Sequence, residues 1–256
     1  LASSLVSWWS GNGTARDVIG PNSGDPQNGV TFARGRVGKA FVFDGIESHV
    51  LIPNSFSLDL TDDFTIDAWI LPTADVWYAT VIGKWGDLND WSSQRSFWLG
   101  VKERGQLVFS LSDDLHQQDG AFHALMSEPG VIPLNTWSHV AAVFVHETGR
   151  RRTYINGVQA AERIDPPFTV HSSIADVTIG AWLRSPDVLD FQFIGRIDEV
   201  RIFNRALTQS EIRELPRLRR PLPPYPTPIR KIPEIPDMQD MLRMQMQQKA
   251  VQEDIR

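Results

Sequence analysis

Cysteine is absent from the 256 residues. That excludes disulfides, thiolate metal ligands and a cysteine nucleophile. It fits a secreted protein from an organism that dispenses with disulfides, and it excludes no compartment. Tyrosine is scarce, 3 residues against 9 tryptophans, so the aromatic resource of the chain is indole, which serves a β-sandwich core and a sugar-stacking surface equally well. No apolar run approaches the ~20 residues that cross a bilayer. No long amphipathic helix pattern occurs before residue 208. There is no H-E-x-x-H zinc pattern, no G-x-S-x-G elbow and no phosphate-binding glycine loop. The chain starts at Leu1 without Met, as a mature form after signal removal or a trimmed piece would.

What is present is ordinary in bulk, 41% hydrophobic and 22% charged, and uneven in charge. Residues 1–215 carry a net −9 and residues 216–256 a net +3. An acidic globular part disfavours nucleic acid as a partner and suits calcium, which prefers oxygen ligands.

Residues 11–29 are rich in Gly, Asn, Asp and Pro and read as loop. Short β-rich runs follow: Lys39–Asp44, His49–Ile52, Phe64–Leu71, Thr80–Lys84, Ser96–Lys102, Gln106–Ser112, Thr136–Val145, Arg152–Ile155, Gly157–Glu162, Val177–Ala181 and Phe191–Phe203. Asn156-Gly157 marks a two-residue hairpin of the primed type. Glu103-Arg104-Gly105 reads as another tight connection. Thr208-Gln209-Ser210-Glu211 matches a capping box, which predicts one short helix to about Leu215. Many short strands and one terminal helix predict an all-β sandwich.

Composition changes at Pro216. Residues 216–236 hold 8 of the 17 prolines and favour extended polyproline II. Residues 237–256 are rich in helix formers, and Met238, Met241, Leu242 and Met246 share one face of a helical tail. This arm is either a floppy tail or a docking element for a partner or neighbouring subunit, since Met is an adaptable contact residue.

In the strand Phe191–Phe203, alternation predicts Glu199, Arg201 and Phe203 on one face and Asp198, Val200 and Ile202 on the other. An acid on an apolar face is costly unless paired, which points to a metal ion at Asp198 or to pairing with Arg196 or Arg205.

The segments LVSWW, VGKAFVFDG, HVLIPNSFSLDLTDDFTIDAWILP, PLNTWSHVAAVF, TYINGVQAA and FIGRIDEVRIFNRALTQSEI, in this order from about Leu5 to Leu215, resemble the laminin-G-like domains of the concanavalin A-like lectin/glucanase superfamily. The resemblance implies a two-sheet antiparallel jelly roll over residues 1–215. Its members are usually non-catalytic modules of secreted or surface proteins that bind glycans or proteins. It also implies a structural calcium, with Asp198, Asp44 and Gly45 at the matching positions and the Ser7–Ser10 region nearby. Asp17, Asn22, Asp25 and Asn28 are weaker candidates. Ser10-Gly11 departs from the acid many relatives carry there. The alternating E-x-D-x-x-E carboxylates of glucanases on this fold are missing, which argues against catalysis.

The expected ligand site is the Trp-rich stretch around residues 77–98: Trp91 beside Asp90 and Arg95, with Trp85, and His116 from a second loop. Trp69, Trp98 and Trp137 are expected in the core, His139 as a structural histidine, and Arg150-Arg151-Arg152 at a solvated hairpin tip. The leading function is thus a carbohydrate-binding module of a secreted, extracellular or cell-surface protein, with the periplasm as a further setting. The rival is an assembly subunit whose arm, residues 216–256, docks on another chain.

Overall fold

The computed structural model describes residues 2–87, 93–113, 123–185 and 188–218. The expected arm beyond Leu218, and the candidates Asp90, Trp91 and His116, lie outside these residues. In chain order the strands are β1 Leu5–Trp9, β2 Asp25–Gln27, β3 Thr31–Arg34, β4 Lys39–Asp44, β5 His49–Ile52, β6 Phe64–Pro72, β7 Tyr78–Asp87 and β8 Ser93–Lys102. They continue as β9 Gln106–Leu111, β10 His123–Met126, β11 Ser138–Val145, β12 Arg150–Ile155, β13 Val158–Ile164, β14 Val177–Ile179, β15 Trp182–Ser185, β16 Val188–Asp190 and β17 Ile194–Phe203. One helix follows, α1 Gln209–Glu214.

Two antiparallel sheets form the sandwich. Sheet A runs β13-β12-β11-β6-β17-β4-β3, with β1 also paired to β17. Sheet B runs β10-β9-β8-β7-β14-β5-β2. A separate two-stranded ribbon, β15-β16, completes the β structure among the described residues. Local signals act where expected. Asn156 and Gly157 have φ of 51° and 79°, the left-handed pair a primed hairpin turn requires, and they join β12 to β13. Thr208 and Glu211 form the capping box of α1, each satisfying an amide the other end of the turn leaves orphaned. The loop at residues 11–29 contains the short strand β2, which its sequence does not announce.

The core lies between the sheets. Alternation sends Phe64, Ile66, Ala68 and Ile70 of β6 inward to meet Phe97 and Leu99 of β8 and Phe109 of β9. Phe64 is its centre, with ring centroids 5.9 Å from Phe97, 6.0 Å from Phe109 and 5.8 Å from Phe144. Full burial of each such side chain contributes about 1.5–3 kcal/mol.

The alternation expected for β17 does not hold. Ile197 and Val200 both enter the core, although three residues apart. A β-bulge lies between Asp198 and Arg201, with Glu199 at φ 55°. One extra residue resets the phase of the strand. Asp198 pairs opposite Trp69 and Arg201 opposite Asp67, so Asp198 faces away from the core, on the outer face of sheet A. The acid is not on the Val200–Ile202 face.

Trp69 lies on that same outer face, its ring 5.4 Å from His139. Trp69 is buried there as expected, outside the cluster between the sheets, whereas Trp137 precedes β11 and is only half-buried. Arg151 is not at a hairpin tip. It sits in β12, fully buried, ion-paired to Asp165 and 5.9 Å from the Phe168 ring. Burial, then Arg163, pulls its pKa down to about 10.

Candidate functional site: an aromatic groove on sheet B

The outer face of sheet B is built from the strand positions that alternate away from the core. Tyr78, Thr80, Gly83 and Trp85 come from β7. Trp98 and Gly100 come from β8, Val108 and Ser110 from β9, and Ala124 and Met126 from β10. Trp98 lies flat on this surface because glycines leave it room. A Cβ at Gly100 would stand 2.2 Å from the Trp98 ring, and one at Gly83 2.8 Å from it. The Trp98 indole N–H donates to the Thr80 hydroxyl at 2.9 Å, which fixes the ring's orientation. Trp98 is buried, but it packs with Trp85 and Val108 in a cluster apart from the central core.

The wall comes from the segment after the ribbon. Phe191 has φ 49°, a strained conformation for a bulky residue. Its carbonyl accepts from the Thr80 amide at 2.7 Å, which holds it against β7. Its ring meets Tyr78 at 5.0 Å, Trp182 at 5.1 Å, Trp98 at 6.1 Å and Trp77 at 6.3 Å. The result is a groove of about 290 Å³ lined by Trp77, Tyr78, Trp85, Trp98, Trp182 and Phe191, with Met126 at its rim.

Two features suit this groove to a ligand. Trp77 is 66% exposed and Met126 45%, and large apolar side chains gathered beside a concavity mark binding surfaces. The buried Trp182 indole N–H has no partner, and Ser110 places a hydroxyl among the rings. A face of rings with a few polar handles stacks a ligand and orients it. The lining holds no carboxylate, imidazole or amine among the described residues; Tyr78 and Ser110 supply its hydroxyls.

Of the residues expected from the sequence, Trp85 lies in the groove. Arg95 is its cross-strand partner on β8. Trp182 and Phe191 went unrecognised in the sequence. The glycines flanking Trp98 at cross-strand and i+2 positions were the local signal that this ring is laid flat rather than buried in the core.

The expected calcium residues are not brought together. Asp44 pairs opposite Ile194, and Ile197 opposite Phe41. Asp198 is therefore four strand positions from Asp44, about 13 Å at 3.3 Å per residue. The Asp44 carboxylate accepts from the Ile46 amide at 2.9 Å and the Ser48 hydroxyl at 2.6 Å, and these bonds, led by Ser48, lower its pKa. Gly45 serves the turn: at φ 78°, a Cβ there would meet Ile194 at 2.2 Å. Asp198 accepts from the Val37 amide at 2.9 Å, and a Cβ at Gly35 would strike its carboxylate, so it clamps the β3–β4 turn.

Nearby loop candidates are committed too. The Asp17 carboxylate accepts from the amides of Trp8, Ile19 and Asn22, while Asn22 binds Ser7, Ser55 and Ser57. Among the described residues no three His, Asp or Glu side chains converge into a metal shell. Asp198, Asp44 and Gly45 do not fit a single calcium ion.

Asp198 belongs instead to a buried polar layer on the outer face of sheet A. Arg201 holds Asp67 through Nε at 3.1 Å and through Nη2 at 2.5 Å, and His139 Nε2 reaches the same carboxylate at 2.8 Å. Burial raises the Asp67 pKa, but Arg201 and His139 overcome it and hold the group below its usual value. Burial keeps His139 neutral, against the pull of Asp67. Arg201 acts on Asp198 and Glu199 only as a nearby charge, too weakly to offset their burial. Burial, opposed by amides from Val37 and Arg36, leaves Asp198 at about 7. Burial and then Asp198 itself push Glu199 to about 8.

Known proteins share this fold. The family model described as the concanavalin A-like lectin/glucanases superfamily, in its laminin-G form, matches residues 44–213. No curated protein sequence matches the chain. Among solved structures, domain 4 of AbnA, an extracellular arabinanase from Geobacillus stearothermophilus solved with arabinotriose, is similar with TM-score 0.60 and 21% identity, over 82% of this chain and 97% of that one. The binding domain of Paraclostridial Mosquitocidal Protein 1 is similar with TM-score 0.62 and 17% identity, over 84% of this chain and 52% of that one. The botulinum neurotoxin serotype G binding domain gives 0.61 and 16%, over 83% and 50%. The chain thus spans about half of each toxin domain. At these identities the likeness concerns the fold.

Proposed function

Since the chain belongs to the concanavalin A-like lectin/glucanases superfamily, we propose that it is a non-catalytic binding module whose ligand is a carbohydrate held in the aromatic groove of sheet B. The observation that carries this reading is the groove itself. Trp77 offers an exposed ring for a sugar face, and Trp182 and Ser110 offer polar contacts for hydroxyls. The arabinotriose bound by the arabinanase domain makes arabinan oligosaccharides the first ligands to try. Extracellular relatives of this fold support an extracellular setting.

The test is affinity electrophoresis and calorimetry against a panel of polysaccharides with wild type, Trp77→Ala and Trp182→Phe. Loss of one stacking ring weakens binding about tenfold, and Trp182→Phe keeps a ring while deleting the N–H. If the panel binds and neither variant changes affinity, the groove is not the site. Release of reducing ends by the wild type overturns the non-catalytic reading.

A further inference from the structure

Lys84 is the one fully buried lysine among the described residues. It sits in β7 between its cross-strand neighbours Phe97 on β8 and Val177 on β14. Its Nζ stands 3.6 Å from Oδ1 of Asp59, a residue held between the buried Leu58 and Leu60 ahead of β6. We propose that Lys84 and Asp59 are joined by an isopeptide bond, an amide between the two side chains that the folded chain makes by itself.

Both facing atoms, Lys84 Nζ and Asp59 Oδ1, are buried and have no hydrogen-bond partner. A settled ammonium–carboxylate pair closes to about 2.7–2.9 Å, because buried charge without hydrogen bonds is costly. At 3.6 Å this pair leaves that cost unrelieved. Burial also pulls the Lys84 pKa down, against the opposing charges of Asp59 and Asp176, and so favours the neutral amine, which is the nucleophilic form. The other carboxylate oxygen is committed: Asp59 Oδ2 accepts from the Ser172 hydroxyl at 2.5 Å. An amide resolves the mismatch. Oδ1, the oxygen without a partner, leaves. Oδ2 stays as the amide carbonyl and keeps its Ser172 bond, and the nitrogen loses its charge.

The chemistry balances without an outside reagent. Within the pair one ammonium proton passes to Asp59 Oδ1, giving an amine and a carboxylic acid. Lys84 Nζ then attacks Asp59 Cγ and the Nζ–Cγ bond forms, while the Ser172 hydroxyl stabilises the negative charge gathering on Oδ2. The Cγ–Oδ1 bond breaks, and Oδ1 departs as water with that proton and a second one from the nitrogen. Asp176 carries the second proton. It directly precedes Val177, its charge acts on Lys84, and its Oδ1 is held by the Asn54 amide at 2.8 Å. Overall an ammonium and a carboxylate become an amide and water. Fixing the two groups in contact supplies the effective concentration that such a condensation needs. The bond closes a loop through all of β6 and across to β7, so it ties sheet A to sheet B in a chain that has no cysteine for the purpose.

The test is intact-mass spectrometry of the denatured full chain, followed by peptide mapping. The wild type should weigh one water less than its sequence, and digestion should release a branched peptide that carries both Lys84 and Asp59. Lys84→Arg and Asp59→Ala should each weigh their full sequence mass. Asp176→Ala should slow closure by about a hundredfold, the lower end for a positioned acid–base group, and leave an open fraction in freshly purified protein. The wild-type reading stands whether or not a variant folds. A wild type at its full sequence mass, a missing water that persists in Lys84→Arg, or a branch joined at other residues would each overturn the proposal. Closure of Asp176→Ala at the wild-type rate would overturn the part given to Asp176.

Discussion

The two outer faces of this sandwich obey the same alternation and end in opposite states. On sheet A the outward side chains are covered. Helix α1 seats Ile212 on Ala141, Val143, Tyr154 and Phe203, the Leu215 carbonyl accepts from Arg201, and charged groups lie buried below. On sheet B the outward side chains are largely aromatic and partly open, with the Lys102 ammonium 5.6 Å from the Tyr78 ring centroid. On the sheet A face Asp67 is paired with Arg201 and His139, while burial raises the pKa of Asp198 and Glu199. An open sheet face is ordinarily polar, so rings gathered on one stand out as the kind of surface that binding sites use. One face holds the buried charges and the other carries the groove proposed for the ligand.

The comparison breaks most severely at Arg201. Arg201→Met leaves Asp67 buried with His139 alone, and loss of one partner from a buried ion pair costs about 3–5 kcal/mol, read by denaturant unfolding. Groove ligands should still bind to the folded fraction.

Next in size is the pH dependence of sheet A's outer face. Asp198 and Glu199 titrate at about 7 and about 8 in the folded chain, against 3.8 and 4.5 as ordinary values. The folded state therefore binds more protons than the unfolded state from about pH 4 to pH 8, so these two groups lower stability as pH rises through that window. We expect the midpoint of denaturant unfolding to fall steadily as pH rises across that window. The double substitution Asp198→Asn, Glu199→Gln should flatten the slope. A double variant with the wild-type slope would show that other groups carry it.

Sheet B breaks at its floor. Gly100→Ala forces the Trp98 ring from its bed, at about 1–3 kcal/mol for overpacking, and should lower groove binding as well. Trp77→Ala sharpens the contrast from the other side, with stability within about 0.5 kcal/mol of wild type, as for an exposed position, and only affinity lost. The smallest expected effect is that of a chelator. With Asp44 and Asp198 committed at separate places, EDTA should leave the melting temperature unchanged, and a chelator-sensitive midpoint abolished by Asp198→Asn would restore the calcium reading.

How much of this was legible depended on range. The helix at Thr208, the Asn156-Gly157 hairpin and most strands were readable because their causes are local: a cap, a turn dipeptide, an alternation. The bulge was not, since nothing within IDEVRI distinguishes Glu199 as a residue with positive φ. That one residue reversed the predicted side of Asp198. The candidate site was half legible. Trp77, Tyr78 and Trp85 sit in one aromatic-rich stretch, whereas Trp182 and Phe191 arrive about a hundred residues later and join the groove only through the fold. Arg151 misled for a related reason: three successive arginines read as solvated, but alternation buries the middle one.

Strand β17 has a further consequence, for the birth of the chain. It lies between β6 on one side and β4 and β1 on the other, so sheet A stays in separate pieces until Ile194–Phe203 arrives. A ribosome releasing the protein from its N-terminus delivers that strand after most of the fold has emerged. Until then the edge of β6 is unpaired, and an unpaired hydrophobic edge invites association. Long-range closure of this kind is slow. The module is therefore most vulnerable while still being made, and a truncation just before Ile194 should yield aggregate rather than a smaller sandwich.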